Sequence, residues 1–481
     1  MDEIQIGFDR SWDKVHKDWR EYYKKLRIFL EVSIKLVSVG MSLIQIWLNP
    51  LPVRSLKFIM TSPQSNLLLI QSARLGNHRQ IIAALEQGAD VNTTDAQGTS
   101  ALMFAAQKGL IEIASLLIAA GANVNLHRRQ FGTTALMFAA AANRVAVVSQ
   151  LLAKGVNVNA VNEDGSTALM GATSVGAKEI VALLLIAGAD VLKIDKDRDN
   201  ALKIAIDRNH PEIVKQLLAA GADPYLVNDD GDSLLIVAAE RGYLSLIETL
   251  IQSGSSIDLQ NHDGWTALIA ATSARQTEIV KLLLAAGSDA NLPSHDGETA
   301  LHLAAIEGDA EIIRLLIGAG ARTDLITGLE DTPLVLATLQ GHTAAVAVIL
   351  EFQPDLTAHQ QGTTAFGLAI VNQSTEIAQL LMAAGVSPVQ AFKDGQTPLM
   401  ICSIEGNLEL VRSLIAAEVL LDLRDNTGAT ALMWATHRRH HEVVKLLLAA
   451  GADRSAKNKG GLTALDLAEI NGDHQSKDLL K

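Results

Sequence analysis

The chain carries one cysteine, Cys402. A single thiol excludes an intramolecular disulfide and any cysteine-rich zinc site, and it fits a reducing compartment, so the cytoplasm is the expected location. Basic side chains are also in short supply: 40 Lys and Arg stand against 53 Asp and Glu, a net charge of −13. Residues 1–59 hold 10 basic and 7 acidic side chains, which leaves the remainder more acidic still, at 30 against 46. A surface of that sign disfavours phosphate backbones, so no nucleic acid is expected as a partner. No glycine-rich run ends in Gly-Lys-Ser/Thr, and there is no Gly-x-Ser-x-Gly elbow, since Gly165 and Ser166 belong to a turn.

Long uncharged apolar runs are scarce too. Residues 28–48 would reach across a bilayer, but Glu31 and Lys35 interrupt them and leave only residues 36–48 without charge. No small-residue cleavage site follows, so a secretory signal is a poor match. A weak membrane anchor through residues 28–48 stays open, with Lys24, Lys25 and Arg27 keeping the N-terminus cytoplasmic. So does a start at Met60, because TSPQSNLLLIQSARLGN after it reads as the opening of the pattern that fills the rest of the chain. Residues 1–59 therefore form a non-repeat segment, and residues 60–481 one array.

Repetition is what the chain has in abundance. Leu102, Leu136, Leu169, Leu202, Leu235, Leu268, Leu301, Leu334, Phe366, Leu399, Leu432 and Leu465 recur at steps of 34, 33 six times, 32, and 33 three times. One step back lies Leu69, making thirteen copies with atypical, capping outer members. In residues 294–326, Leu301, Ala304 and Ala305 share one helical face, and Ile312, Leu315 and Leu316 another. Two such short helices cannot bury their stripes alone and need a neighbour on each flat side. Asp296-Gly297 marks a tight turn, Gly308 breaks the first helix, and Gly320 suits the left-handed position past the second.

These residues make the unit resemble an ankyrin repeat. The resemblance implies a mainly α, ankyrin-repeat solenoid of stacked helix-turn-helix units with short β-hairpin tips. Departures from the pattern fall on Arg198, Glu330 and Arg439, which replace glycines, on Asn209, and on an extra residue within 128–131. Copies nine and ten, residues 327–390, are the most degenerate, and a change of curvature is expected there.

Little in the array carries chemistry. His437, His440, His441 and Glu442 form the densest metal-like cluster, but they lack the His-Glu-x-x-His spacing and read as a solvated turn. Asp229, Asp230 and Asp232 crowd one tip without the spaced ligands of a calcium loop. His262-Asp263 and His295-Asp296 recur one copy apart, as turn residues do. No enzyme, no metal and no cofactor is expected. Cys402 and Trp434 read as core residues, the latter in the place of Phe104 and Phe138.

The resemblance further implies a non-enzymatic scaffold whose tips and first helices bind an unidentified protein partner on a concave surface. Tip positions are Phe131, Asp199, Asp230, Trp265 and Glu298, and helix-end positions are Lys108, Arg208, Arg241, Glu307, His437 and Arg438. Trp265 stands out, because other copies carry small or polar residues there; it reads either as a binding anchor near Arg241 and Arg208 or as cover for a neighbouring tip. Two variants of this function stay open: a membrane-tethered scaffold held through residues 28–48, and a regulator of an enzyme or toxin.

Overall fold

The first helix of each copy starts where a small polar side chain takes over from the backbone. Thr299 holds extended dihedrals ahead of Ala300–Glu307, in which Leu301, Ala304 and Ala305 are buried as their spacing predicts. Gly308, at φ 71°, ends that helix. Asp309 then caps Ala310–Gly318 by accepting from the Ile312 N–H at 3.1 Å. Ile312, Ile313 and Leu316 are buried there, whereas Leu315 is half-buried. Residues 312, 313 and 316 crowd one edge of the helix, and Leu315 lies on its flank.

The computed structural model describes residues 62–360, 363–389, 391–392 and 394–481. The expectations for residues 28–48 and for Met60 lie outside them. Within them run 26 helices in thirteen pairs, from Ser62–Leu75 with His78–Glu86 to Ala464–Ile470 with His474–Leu480. Each pair packs on itself and on the pairs before and after it, and Leu102, Leu136, Leu169, Leu202 and their successors sit at 0–2% exposure up to Leu432. Burying such a leucine contributes roughly 1.5–3 kcal/mol, so the framework positions dominate the stability of the stack. Cys402 is one of these core residues, and burial pushes its thiol up to about 12.

The tips are mostly turns. Among the described residues, strand pairing is confined to His359–Gln360 against Thr363–Thr364, with isolated bridges at Thr94 and Ser100, His127 and Thr134, and Val227 and Ser233. A side-chain oxygen seven residues before the framework leucine organises most turns, though not those with Arg129, His359 or Phe392 there: Asn261 Oδ1 accepts from the N–H groups of Asp263 at 3.0 Å and Trp265 at 2.8 Å. Arg198 at φ 64° and Glu330 at φ 66° keep the left-handed backbone of the glycines they replace. That conformation costs a side-chain-bearing residue roughly 1–2 kcal/mol. Phe131 at φ 68°, ahead of Gly132, absorbs the extra residue of copy three.

Three kinds of bond tie one copy to the next. Tip to tip, the Lys196 N–H donates to the Asp164 carbonyl at 2.8 Å, and the His295 N–H to the Asp263 carbonyl at 2.9 Å. In several copies an Asn or Asp about ten residues before the framework leucine accepts from the following copy's backbone, as Asn159 does from Asp190 and Asn291 from Arg322, both at 2.8 Å. At the start of the second helix, the Nε2–H of His342 donates to the Ile306 carbonyl at 2.8 Å, and that of His440 to the Ile404 carbonyl at 2.9 Å.

These histidines lie directly over the preceding copy's inter-helix glycine. A Cβ on Gly308 would meet the His342 ring at 2.5 Å, while one on Gly341 would meet nothing within 4 Å. Both glycines have positive φ. Gly341→Ala is therefore expected to cost about 1 kcal/mol from backbone strain alone. Gly308→Ala should cost measurably more in urea unfolding, and His342→Ser in the Gly308→Ala background should recover the difference.

His302 is fully buried one position past Leu301. Its Nδ1 accepts from the Thr299 N–H at 3.1 Å, and its Nε2–H donates to the Leu325 carbonyl at 3.0 Å. Burial lowers its pKa below the usual 6.5, against the opposing effect of the backbone bonds. Below pH 6.5 the unfolded chain thus binds a proton that the folded chain refuses, so this contribution is complete above 6.5 and falls away as the pH drops. His302→Met, which installs the residue found at Met103, Met137, Met170, Met400 and Met433, should flatten that part of the pH dependence. The difference between wild-type and variant urea midpoints from pH 7.5 down to 5.5 measures it.

Candidate functional site: the first-helix and tip face

One side of most first helices is left partly uncovered by the stack, although Ala270 and Leu336 are buried there. The side chain two residues after the framework leucine emerges there, and Phe104, Phe138, Ile204, Val237, Leu303, Ile401 and Trp434 are all half-buried. Trp434 is thus not a closed core residue: its indole N–H donates to Asp425 Oδ2 at 2.9 Å, and its ring meets His437 edge-on with centroids 6.1 Å apart. Burial raises the Asp425 pKa, but hydrogen bonds from Thr427, the Ala429 N–H and Trp434 outweigh it and hold the carboxyl below its usual range.

Two hollows interrupt this face. One, of about 370 Å³, opens where copy four places Gly171 between Phe138 and Ile204. Gly171 is helical, and an added Cβ would reach Ala141 Cβ only at an ordinary 3.6 Å. The other, of about 350 Å³, lies between Ala201–Asp207 and Leu234–Glu240 and is lined by Lys203, Asp207, Asp230, Asp232, Val237 and Arg241, among others. Lys203 pairs with Asp199, and Arg241 with Asp207 at 2.7 Å. The hydrogen bond that Lys203 donates to Asp199 raises the Lys203 pKa against the opposing effect of burial, and Asp207 and Asp229 raise it further.

The structure brings Arg241 and Asp230 into this second hollow, with Asp199 beside it through Lys203. Arg208 is exposed at the cap of Ala201–Asp207 without lining it. Trp265 is half-buried against the core rather than an exposed tip residue, with its N–H and carbonyl both bound to Asn261. Phe131 is 55% exposed, with the Arg128 guanidinium 5.8 Å from its ring centre. Glu298 is half-buried, and burial followed by repulsion from Asp296 raises its pKa. Lys108 is exposed and donates to the Arg74 carbonyl; Glu307, His437 and Arg438 are exposed at helix ends. These last six residues line neither hollow.

Of His437, His440, His441 and Glu442, read as a solvated turn, His437 and Glu442 are exposed, and the reading is corrected for the other two. His440 and His441 are half-buried and bind neighbouring copies, His441 Nε2 lying 2.9 Å from Asp473 Oδ1. Among the described residues, no group of three or more His, Cys, Asp or Glu is placed to hold a metal ion, and no helix is long and apolar enough to cross a membrane. Sequence reasoning missed Lys203 and the Gly171 hollow; the available signal for the latter was a glycine where other copies carry Phe, Ile or Leu.

Gly171→Ala should stabilise the chain by about 1 kcal/mol, as expected for a helical glycine with room for a methyl group. A raised urea midpoint with unchanged far-UV circular dichroism would bear this out; a lowered midpoint would mean that the helix needs the bare backbone there.

A family model described as ankyrin repeats in three copies matches residues 69–162, 121–195, 141–228, 235–327, 307–391 and 385–458. Residues 229–234 fall between successive matches. Comparison with curated proteins gave no match.

Proposed function

The chain belongs to the ankyrin-repeat family, and from that premise we propose that it is a non-enzymatic scaffold holding a partner protein on the concave surface of its tips and first helices. Repeats of this family generally mediate protein–protein contact. The observation that carries the reading is a contrast between adjacent positions of one helix. Three residues after the framework leucine, every copy from the second onward has Ala except for Cys402. Two residues after it, the successive copies have Phe, Phe, Gly, Ile, Val, Ala, Leu, Leu, Leu, Ile, Trp and Leu.

The first position is committed to helix-on-helix packing, which tolerates only a small side chain. The second lies at the edge of the stack, half-buried in most copies and buried at Ala270 and Leu336, and its identity differs, so the face is individual where the framework is uniform. A preformed face of this kind loses little conformational entropy on binding. Phe131, Arg208, Arg241, Asp230, Glu307, His437 and Arg438 supply charged and aromatic contacts along its border, with Trp265 and Glu298 as its half-buried members. We take the array to span residues 60–481 with capping outer copies, and the lone thiol of Cys402 fits a cytoplasmic location.

Affinity capture with the full chain from its native source, read by mass spectrometry, tests the surface. Arg208→Glu with Arg241→Glu is expected to lose the partner, while Lys215→Glu with Glu248→Lys, on exposed positions of second helices, retains it. Loss by the second pair alone would move the binding surface to the opposite side of the stack.

A further inference from the structure

The junction between copies five and six keeps the Arg241–Asp207 bond but, among the described residues, lacks both the backbone tip bond and the Asn or Asp acceptor; the acceptor alone is also missing at Tyr225, Leu356 and Val389. Leu192 stands where Asn159 and Asn291 accept a backbone N–H from the following copy, and a leucine side chain can accept none. The tip-to-tip ladder reaches Asp164 and Lys196 on one side and Asp230 and His262 on the other. Among the described residues, no such backbone bond joins Asp197 to Asp229; the Arg198 guanidinium reaches Asp229 at 3.7 Å, with both side chains at least 80% exposed. An ion pair so open to water contributes little. Accordingly, Ala201–Asp207 and Leu234–Glu240 make the sparsest contact of any consecutive pair of first helices. The 350 Å³ cleft is the space so opened.

Its charges do not balance. Of the side chains lining it, two are cations, Lys203 and Arg241, and four are carboxylates, Asp207, Asp229, Asp230 and Asp232. Asp207 is matched by Arg241, and Lys203 is already held by Asp199 outside the lining. Asp232 accepts from Asn228 Nδ2 at 2.9 Å and Asn261 Nδ2 at 2.7 Å, which leaves its negative charge in place. Asp229 and Asp230 lie exposed above an apolar wall that includes Val237 and the 46% exposed Val227. The acidic rim alone does not single out this place, since Asp263 and Asp296 also lie exposed on neighbouring tips. The loss of both ties at one junction does, among the described residues.

Resting on the scaffold reading above, we propose that this cleft seats a lysine or arginine side chain from an extended, basic segment of the partner protein. The aliphatic stem lies along Val237 and Val227, and the cationic head meets Asp229 and Asp230. The segment's apolar neighbours cover Ile194 and Tyr225, which are 57% and 61% exposed on the two adjoining loops.

The test uses the full chain and two fluorescein-labelled probes flanked by Gly-Ser: one alternating leucine with arginine, the other leucine with glutamate. Fluorescence anisotropy should show preference for the arginine probe. Asp229→Asn with Asp230→Asn should weaken its binding at least about tenfold, while Asp263→Asn with Asp296→Asn should change it by less than about twofold. Leu192→Asn with Arg198→Gly restores the missing acceptor and the turn glycine, so it should raise the unfolding midpoint while also weakening the probe by about tenfold or more. Equal weakening by both aspartate pairs would reduce the effect to bulk charge and overturn the proposal. So would wild-type affinity in the repaired variant, or no preference between probes.

The native partner separates this proposal from its premise. If Arg208→Glu with Arg241→Glu abolishes capture but Leu192→Asn with Arg198→Gly leaves it intact, the scaffold reading stands and the cleft assignment falls. If probe binding follows the cleft variants while the pair on the second helices loses the partner, the scaffold surface has been misplaced and the cleft stands.

Discussion

A pair of helices of seven to nine residues has two apolar flat sides, and neither is covered until another pair lies against it. Nearly everything else follows from that. The leucines that recur every 33 residues, the alanines three places later and the Ile312, Ile313 and Leu316 edge are all positions at which one copy is the solvent shield of the next. No copy can be stable in isolation, and cooperativity in the stack is the sum of its junctions. The weakest junction then decides where the stack opens, and the loss of one acceptor at Leu192 and one glycine at Arg198 is enough to leave a space there.

The helices were legible because their determinants are local. Framework leucine spacing, a Thr or Ser ahead of the helix and a glycine behind it all act within a few residues, and each appears where the sequence places it. The edge of the second helix was read less well, since Leu315 and Ile313 are equally apolar and only packing decides between them. His440 and His441 were misread for a different reason. Their partners, Ile404 and Asp473, lie 36 and 32 residues away, and a histidine pair beside a turn looks solvated until the neighbouring copy is in place.

The candidate site was the least legible part. Arg241 and Asp230 were singled out for their positions in the repeat, and they do share a hollow, but the hollow itself exists because of bonds that are absent between other residues. A missing hydrogen bond leaves no motif. It becomes visible only when Asn159 and Asn291 show what their position normally does, and Leu192 is then compared with them. Trp265 makes the complementary point: its rarity drew attention to it, while its half-burial against the core is visible only in the folded chain.

The ties between copies have one property with a history attached to it. The tip ladder joins backbone to backbone, and His342 and His440 reach back to a carbonyl rather than to a particular side chain. Such contacts ask nothing of a neighbour's identity beyond its shape. A duplicated copy inserted between ordinary members of the row, or one excised there, meets the same backbone donors and acceptors on either side. The length of the array is therefore free to drift by whole copies during gene duplication and recombination without re-tuning its joints, whereas the surface features that span two unlike copies are lost or doubled at each such step.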